Sequence, residues 1–241
     1  MTARRPVDDV LGLYGPGSEA WALNREAMLL LGAGPRALLL QLAHPGVAAG
    51  VADHSDFRAD PWARLQGTLR SYLRIVYGTG TAARSEIRRL NELHRTITGP
   101  TYRARDPELS LWVHATLVDS TMVAYDALVE PLSAARREAF YAETRPIAIA
   151  FGVPADRVPA DIAAFDAYLA AMLAPDGPVH PTPTARALAE VILHPPLGPL
   201  AGVAPDALAG PLGAMLDAVP GRLVDWTLWP AVGLLPALSV G

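Results

Sequence analysis

Thr81-Ala-Ala-Arg-Ser-Glu-Ile-Arg-Arg-Leu-Asn-Glu-Leu-His-Arg-Thr-Ile97 carries Ile87, Leu90, His94 and Ile97 at steps of 3, 4 and 3. That spacing draws one stripe along a helix, not the alternation of a strand. The stretch before it behaves alike. Asp60-Pro61 reads as an N-cap followed by proline at the first helical position, and the stripe Trp62, Leu65, Leu69, Tyr72 and Val76 carries a helix to about Tyr77, where Gly78-Thr-Gly80 closes it. Asp106-Pro107 opens another helix to about Leu128, Ser133 one to about Phe151, and Asp161 one to about Ala174. Towards the N-terminus, Asn24 reads as the N-cap of a helix over 25–31 that Gly32-Ala-Gly-Pro35 interrupts, with a second helical piece over 36–43. Both pieces are apolar nearly all round and so belong at the centre of the fold. Beyond residue 174 prolines are dense, and only 182–194 and 206–219 look helical. No run alternates in β-branched residues. The chain reads as all-α, a single multi-helix domain over 1–241, with a helical core at about 24–173 and a proline-rich C-terminal satellite at about 174–241.

Composition narrows the chemistry. There are 241 residues, 51% of them hydrophobic and 18% charged, enough for a folded core. The absence of cysteine excludes disulfides, thiolate metal sites and cysteine nucleophiles. All 20 basic residues are arginine, so Schiff-base lysines and P-loop lysines are excluded too. A net charge of −4 argues against nucleic acid as a partner, although ten arginines crowd into 58–105. That cluster reads as a solvated helix face or as a set of partners for carboxylates. Arg4-Arg5 is followed by no apolar run, and the apolar stretches 27–42 and 223–238 are short and broken by proline. The expectation is a cytoplasmic protein without a signal peptide or transmembrane segment.

Several polar side chains stand on faces expected to be buried. Arg64 and Thr68, four apart, share a helix face beside the apolar stripe. A buried threonine can bond a carbonyl one turn back, whereas a buried arginine requires an anion. His94 stands within its stripe, and His114 does so in Leu111, His114, Val118, Met122 and Tyr125. A buried histidine needs a hydrogen-bond partner or a metal, and periodicity alone does not separate the two as ligands. His44 and His54 bracket Pro-Gly-Val-Ala-Ala-Gly-Val-Ala-Asp. This segment reads either as a cofactor-facing turn or as a helix capped at His44 whose small residues approach a neighbour closely. His180 and His194 lie among prolines and should face solvent. Leu31-Gly-Ala-Gly-Pro-Arg36 follows a helix and is no dinucleotide loop. His114, Asp119 and Ser120 hold the elements of a hydrolytic triad without its Gly-x-Ser-x-Gly elbow.

These motifs together resemble a known family. Leu42-Ala-His-Pro-Gly-Val-Ala-Ala-Gly-Val-Ala-Asp-His-Ser-Asp-Phe57, then Asp60-Pro-x-x-Arg-Leu-x-x-Thr68, then His94 with Gly99, then Tyr102-x-Ala-x-Asp-Pro-x-Leu-x-x-Trp-Val-His-Ala-Thr116, are similar in order and kind to the MpaB and latex-clearing-protein (rubber oxygenase) family over about residues 24–173. The resemblance implies a globin-like helical core holding one haem b, and oxygen chemistry on carbon–carbon double bonds. It implies Arg64 and Thr68 as catalytic residues and His94 as axial ligand to the haem iron. Arg64, His114, His44 and His54 are the further cofactor-binding candidates, with His114 the rival ligand. Leu69, Val76 and residues 46–51 would line an apolar pocket.

The implied activity is a haem-b-dependent oxygenase acting on an unsaturated, apolar, isoprenoid-like small molecule. The alternatives are a haem- or lipid-binding helical protein without turnover, or a family member that has lost haem. The implied partners are a lipophilic substrate and O2, with a homodimer left open. Two departures point away from rubber itself. Gly67 stands where rubber-cleaving relatives carry a lysine, and those relatives are secreted and continue with further helix after the stretch where this chain ends.

Overall fold

Two long apolar helices pack along each other at the centre: α2, Ala27–Leu42, and α6, Pro107–Leu128. Our computed structural model describes residues 12–25, 27–55 and 61–193. In chain order the other elements are α1 (Glu19–Asn24), α3 (Pro45–His54), α4 (Pro61–Tyr77), α5 (Gly80–Arg95), β1 (Thr98–Gly99), β2 (Tyr102–Arg103), α7 (Ala134–Ala150), α8 (Ile162–Met172) and α9 (Pro183–Leu193). The expected helix over 206–219, the cap at Asp60 and His194 lie outside the described residues.

The core follows from the apolar faces. Leu39, Leu40 and Leu42 of α2 meet Trp112, Ala115, Val118 and Met122 of α6, all nearly or fully buried. Burying one such large aliphatic or aromatic side chain contributes about 1.5–3 kcal/mol, so this pair of helices dominates the stability of the fold. Polar bonds fix its register. Trp112 Nε1 donates to the Leu40 carbonyl at 3.1 Å, and Gln41 Nε2 to Thr116 Oγ1 at 3.0 Å. Arg36 Nη1 donates to Asp119 Oδ2 at 2.6 Å and to Ser120 Oγ at 2.8 Å. α7 packs on α6 and α1, α8 on α7, and α4 pairs with α5. α9 packs on α2 and α3, adding Leu188, Ile192 and Leu193 to the same core.

Most helix starts obey local capping chemistry. Thr79, Asp106, Ser133 and Asp161 each accept a backbone N–H of the first turn. Three sequence expectations fail. Gly32-Ala-Gly-Pro35 does not interrupt α2, which runs on with Pro35 inside it. The clash that normally drives the residue before proline out of the helical region involves its Cβ, and Gly34 has none. Asn24 is not an N-cap but the last residue of α1. Its Nδ2 donates to the Ala20 carbonyl at 2.7 Å, and its Oδ1 accepts from the Tyr72 hydroxyl, tying α1 to α4. Helix α5 stops at Arg95, not Ile97. The chain then turns into a hairpin pairing Thr98 with Arg103 and Gly99 with Tyr102, with strands too short to show any alternation.

Candidate functional site

The helical hairpin α4–α5 brings the first group together. Arg64 and Thr68 are one turn apart on α4, and Arg64 Nη1 donates to Thr68 Oγ1 at 2.5 Å. Thr68 Oγ1 in turn donates to the Arg64 carbonyl at 3.0 Å. The shared face read from the sequence is present, but its burial is not: both side chains are exposed. The apolar stripe turns Ile75 and Val76 inward, which leaves Arg64 and Thr68 at the solvent-facing edge. On α5, His94 is half-buried and not fully buried. Burial first, then the nearby charges of Arg64, Arg105 and Arg89, hold its imidazole below the usual histidine pKa. A neutral imidazole can donate a lone pair to a metal, and the neighbouring arginines can receive the carboxylates of a bound group.

His114 is the second group, and it faces the interior. Its relative exposure is 9%, and its Nε2 has no hydrogen-bond partner. Burial pushes its pKa down to about 4, so it is neutral at physiological pH. An unpartnered buried imidazole nitrogen carries a desolvation cost of about 1–3 kcal/mol, which a bound ligand would relieve. The hydrolytic triad does not assemble, because Asp119 and Ser120 are both engaged by Arg36 while His114 Nε2 meets neither.

His44 and His54 hold the fold together locally. His44 is the N-cap of α3, its Nδ1 accepting from Gly46 N at 3.2 Å. Burial and the neighbouring His180 lower its pKa, against the pull of Glu108 and Asp106. His54 pairs its Nε2 with the Thr98 carbonyl at 3.2 Å and meets the Tyr102 ring edge-to-face. The small residues between them approach neighbours closely. A Cβ at Gly46 would lie 3.3 Å from Leu109, and one at Gly50 3.3 Å from Tyr102. At those two glycines the space is filled by protein side chains, and Val76 packs into the main core. His180 is exposed, as expected.

Sequence reasoning missed two features of this region. Arg89 and Arg105 join Arg64 around His94, and only the arginine density over 58–105 signalled them. Glu86 is a buried carboxylate within α5, masked in the sequence by the arginines beside it.

One imidazole flanked by cations suits a cofactor that carries its own metal and its own carboxylates. Among the described residues no three His, Asp or Glu side chains gather to hold an ion. A haem brings its own four nitrogens, and needs one neutral histidine and cations for its propionates. His94 with Arg64 and Arg105 could hold such a group, and the orphaned Nε2 of His114 is a second neutral nitrogen.

The fold and site thus describe an all-α protein with a neutral, arginine-flanked histidine on a helical hairpin. The model of the catalytic domain of the ER-bound oxygenase mpaB/B′ and rubber oxygenase matches residues 21–239, and the chain belongs to that family. It carries an oxygenase-family catalytic domain. Two uncharacterized proteins, from Mycobacterium bovis and Mycobacterium tuberculosis, are each 32% identical over 141 residues, covering 54% of this chain and 55% of theirs. The chain spans about half the length of the curated relatives it matches. No solved structure matches it. Among the described residues no helix is long and apolar enough to cross a membrane.

Proposed function

We propose that this protein is a haem-b-dependent oxygenase acting on an unsaturated, apolar, isoprenoid-like small molecule, with His94 as the axial ligand. The observation that carries the reading is the setting of His94: a half-buried imidazole whose pKa is held below the usual histidine value by burial and by the charges of Arg64, Arg105 and Arg89. Family membership supports the oxygen chemistry. Bound haem would supply the activation of O2. The chain's own residues would do the rest. His94 presents a nitrogen lone pair without first losing a proton. Arg64 and Arg105 neutralise propionate charge, and Thr68 holds the Arg64 guanidinium in place through its hydroxyl. With this reading go one domain over 1–241 and a cytoplasmic location, with a homodimer left open.

A second assignment, His114 as axial ligand, has its own support in the unpartnered, buried Nε2. Titrating haem into the purified protein and recording the visible spectrum tests both. The expected result is a Soret band that His94→Ala abolishes and His114→Ala retains. The reverse pattern transfers the ligand to His114, and no band in the parent protein overturns the haem reading altogether. Oxygen uptake with a polyunsaturated isoprenoid then separates an enzyme from a haem- or lipid-binding protein without turnover.

A further inference from the structure

Glu86 is 5% exposed, and its carboxylate is held by side chains of the same helical hairpin that carries Arg64 and His94. Ser71 Oγ on α4 donates to Glu86 Oε1 at 2.8 Å. Arg89 donates to the same oxygen through Nε at 3.0 Å and Nη2 at 2.5 Å. Arg89 Nη2 also reaches Ser71 Oγ at 3.2 Å, and Arg74 Nε stands 4.0 Å from Glu86 Oε2. A carboxylate this buried is tolerated because charged donors satisfy it. Those donors hold its pKa down at about 2, so it stays ionised.

The position of this clasp matters more than its strength. Helices α4 and α5 run antiparallel, joined through Gly78-Thr79, and Ser71 meets Glu86 part-way along them. Seven residues back from Ser71 stands Arg64, and eight residues on from Glu86 stands His94. At 1.5 Å per residue these are about 10.5 and 12 Å from the clasp on the two helices, so the two side chains lie at similar distances from it, on the side away from the Gly78-Thr79 turn. Arg64, Thr68 and Ser71 also share one helix face, being spaced by four and three. We infer that Glu86 is a positioning residue, whose bond to Ser71 sets the register of α4 on α5 and thereby brings Arg64 beside His94. A slip of one helical turn at the clasp would move Arg64 by about 5.4 Å and part the two. The register itself is independent of any cofactor. Its consequence for cofactor binding rests on the haem reading above.

The cysteine-free chain allows a direct test. Gln66 and Glu92 are exposed on α4 and α5, and cysteines at these two positions accept nitroxide labels. Electron–electron double resonance on the haem-free protein then measures their separation. The expected result is a narrow distribution in the parent, shifted by a few ångströms and broadened in Glu86→Ala. Glu86→Gln, which keeps an acceptor oxygen for Ser71, should stay close to the parent. An unchanged distribution in Glu86→Ala at parental helicity overturns the proposal. If Glu86→Ala does not fold, Ser71→Ala takes its place with the same two outcomes, since it leaves Glu86 paired with Arg89. Haem titration of unlabelled Glu86→Ala should show several-fold weaker uptake alongside the shift. A parent that binds no haem at all would sink the haem reading while leaving the register result standing.

Discussion

Arg64 and Thr68 close a small ring on the surface of α4, the guanidinium donating to the hydroxyl and the hydroxyl to the Arg64 carbonyl. Both are exposed, and exposed charged contacts contribute at most about 1 kcal/mol to folding. The pair is therefore a poor explanation of stability and a good one of binding, because Arg64 is the foremost charge acting on His94. Arg64→Ala and Thr68→Val should each unfold in denaturant within about 0.5 kcal/mol of the parent. Haem uptake should weaken several-fold in Arg64→Ala and less in Thr68→Val. Lost stability with unchanged haem uptake would contradict the role given to Arg64.

The opposite split is expected at Arg36 and Asp119, whose side chains are 6% and 15% exposed and lie 2.6 Å apart between α2 and α6. Removing one partner of a buried ion pair leaves the other uncompensated, at a cost of about 3–5 kcal/mol. Asp119→Ala should lose stability towards that scale, because it removes a 2.6 Å carboxylate contact from a buried guanidinium. Replacing both at once, Arg36→Met with Asp119→Leu, should recover much of it. A double variant no more stable than Asp119→Ala in urea denaturation would show that the pair does more than satisfy itself.

The helical core was legible because its signal is local. Asp106-Pro107, Ser133 and Asp161 mark helix starts by their own side chains, and the stripe from Leu111 to Tyr125 marks a buried face by spacing alone. What escaped depends on contacts between segments far apart in sequence. Asn24 looks like a cap until Tyr72 is brought to it, whereas Pro35 stays inside α2 for a local reason, since Gly34 has no Cβ to clash with the proline ring. In the candidate site, the spacing of Arg64 and Thr68 was readable and their exposure was not. Exposure depends on how far α4 rotates its stripe into the core. The company of His94 was hidden for the same reason, since Arg105 comes from beyond the hairpin.

The hairpin offers a contrast between two glycines that meet one ring. Tyr102 is pinned by its hydroxyl, which donates to Asp53 Oδ2 at 2.7 Å. A Cβ on Gly99 would come 2.6 Å from the Tyr102 Cζ, whereas one on Gly50 would stay 3.3 Å from the ring edge. Gly99→Ala must displace a ring that cannot yield, and should cost about 1–3 kcal/mol. Gly50→Ala presses the ring only slightly and gains up to about 1 kcal/mol of helix propensity in α3, so it should be close to neutral. Thermal melts of the two variants check the order, and a Gly50→Ala variant melting below Gly99→Ala would reverse it.

His114 should make the haem-free protein sensitive to mild acid. Its folded pKa is pushed down to about 4 by burial, against 6.5 for the free side chain. Above pH 6.5 neither state holds the proton and stability is unaffected. As pH falls from there, the unfolded chain takes up a proton that the folded protein refuses, so stability declines until about pH 4, where the folded state protonates as well. At 1.36 kcal/mol per pKa unit the whole loss is about 3 kcal/mol. The other histidines and the carboxylates titrate in both the parent and His114→Phe, so the difference between their stability curves isolates this one side chain. That difference should open below pH 6.5 and flatten near pH 4. Parallel curves across this window would mean that His114 is not held neutral in the interior, and with it would go the case for His114 as the rival ligand.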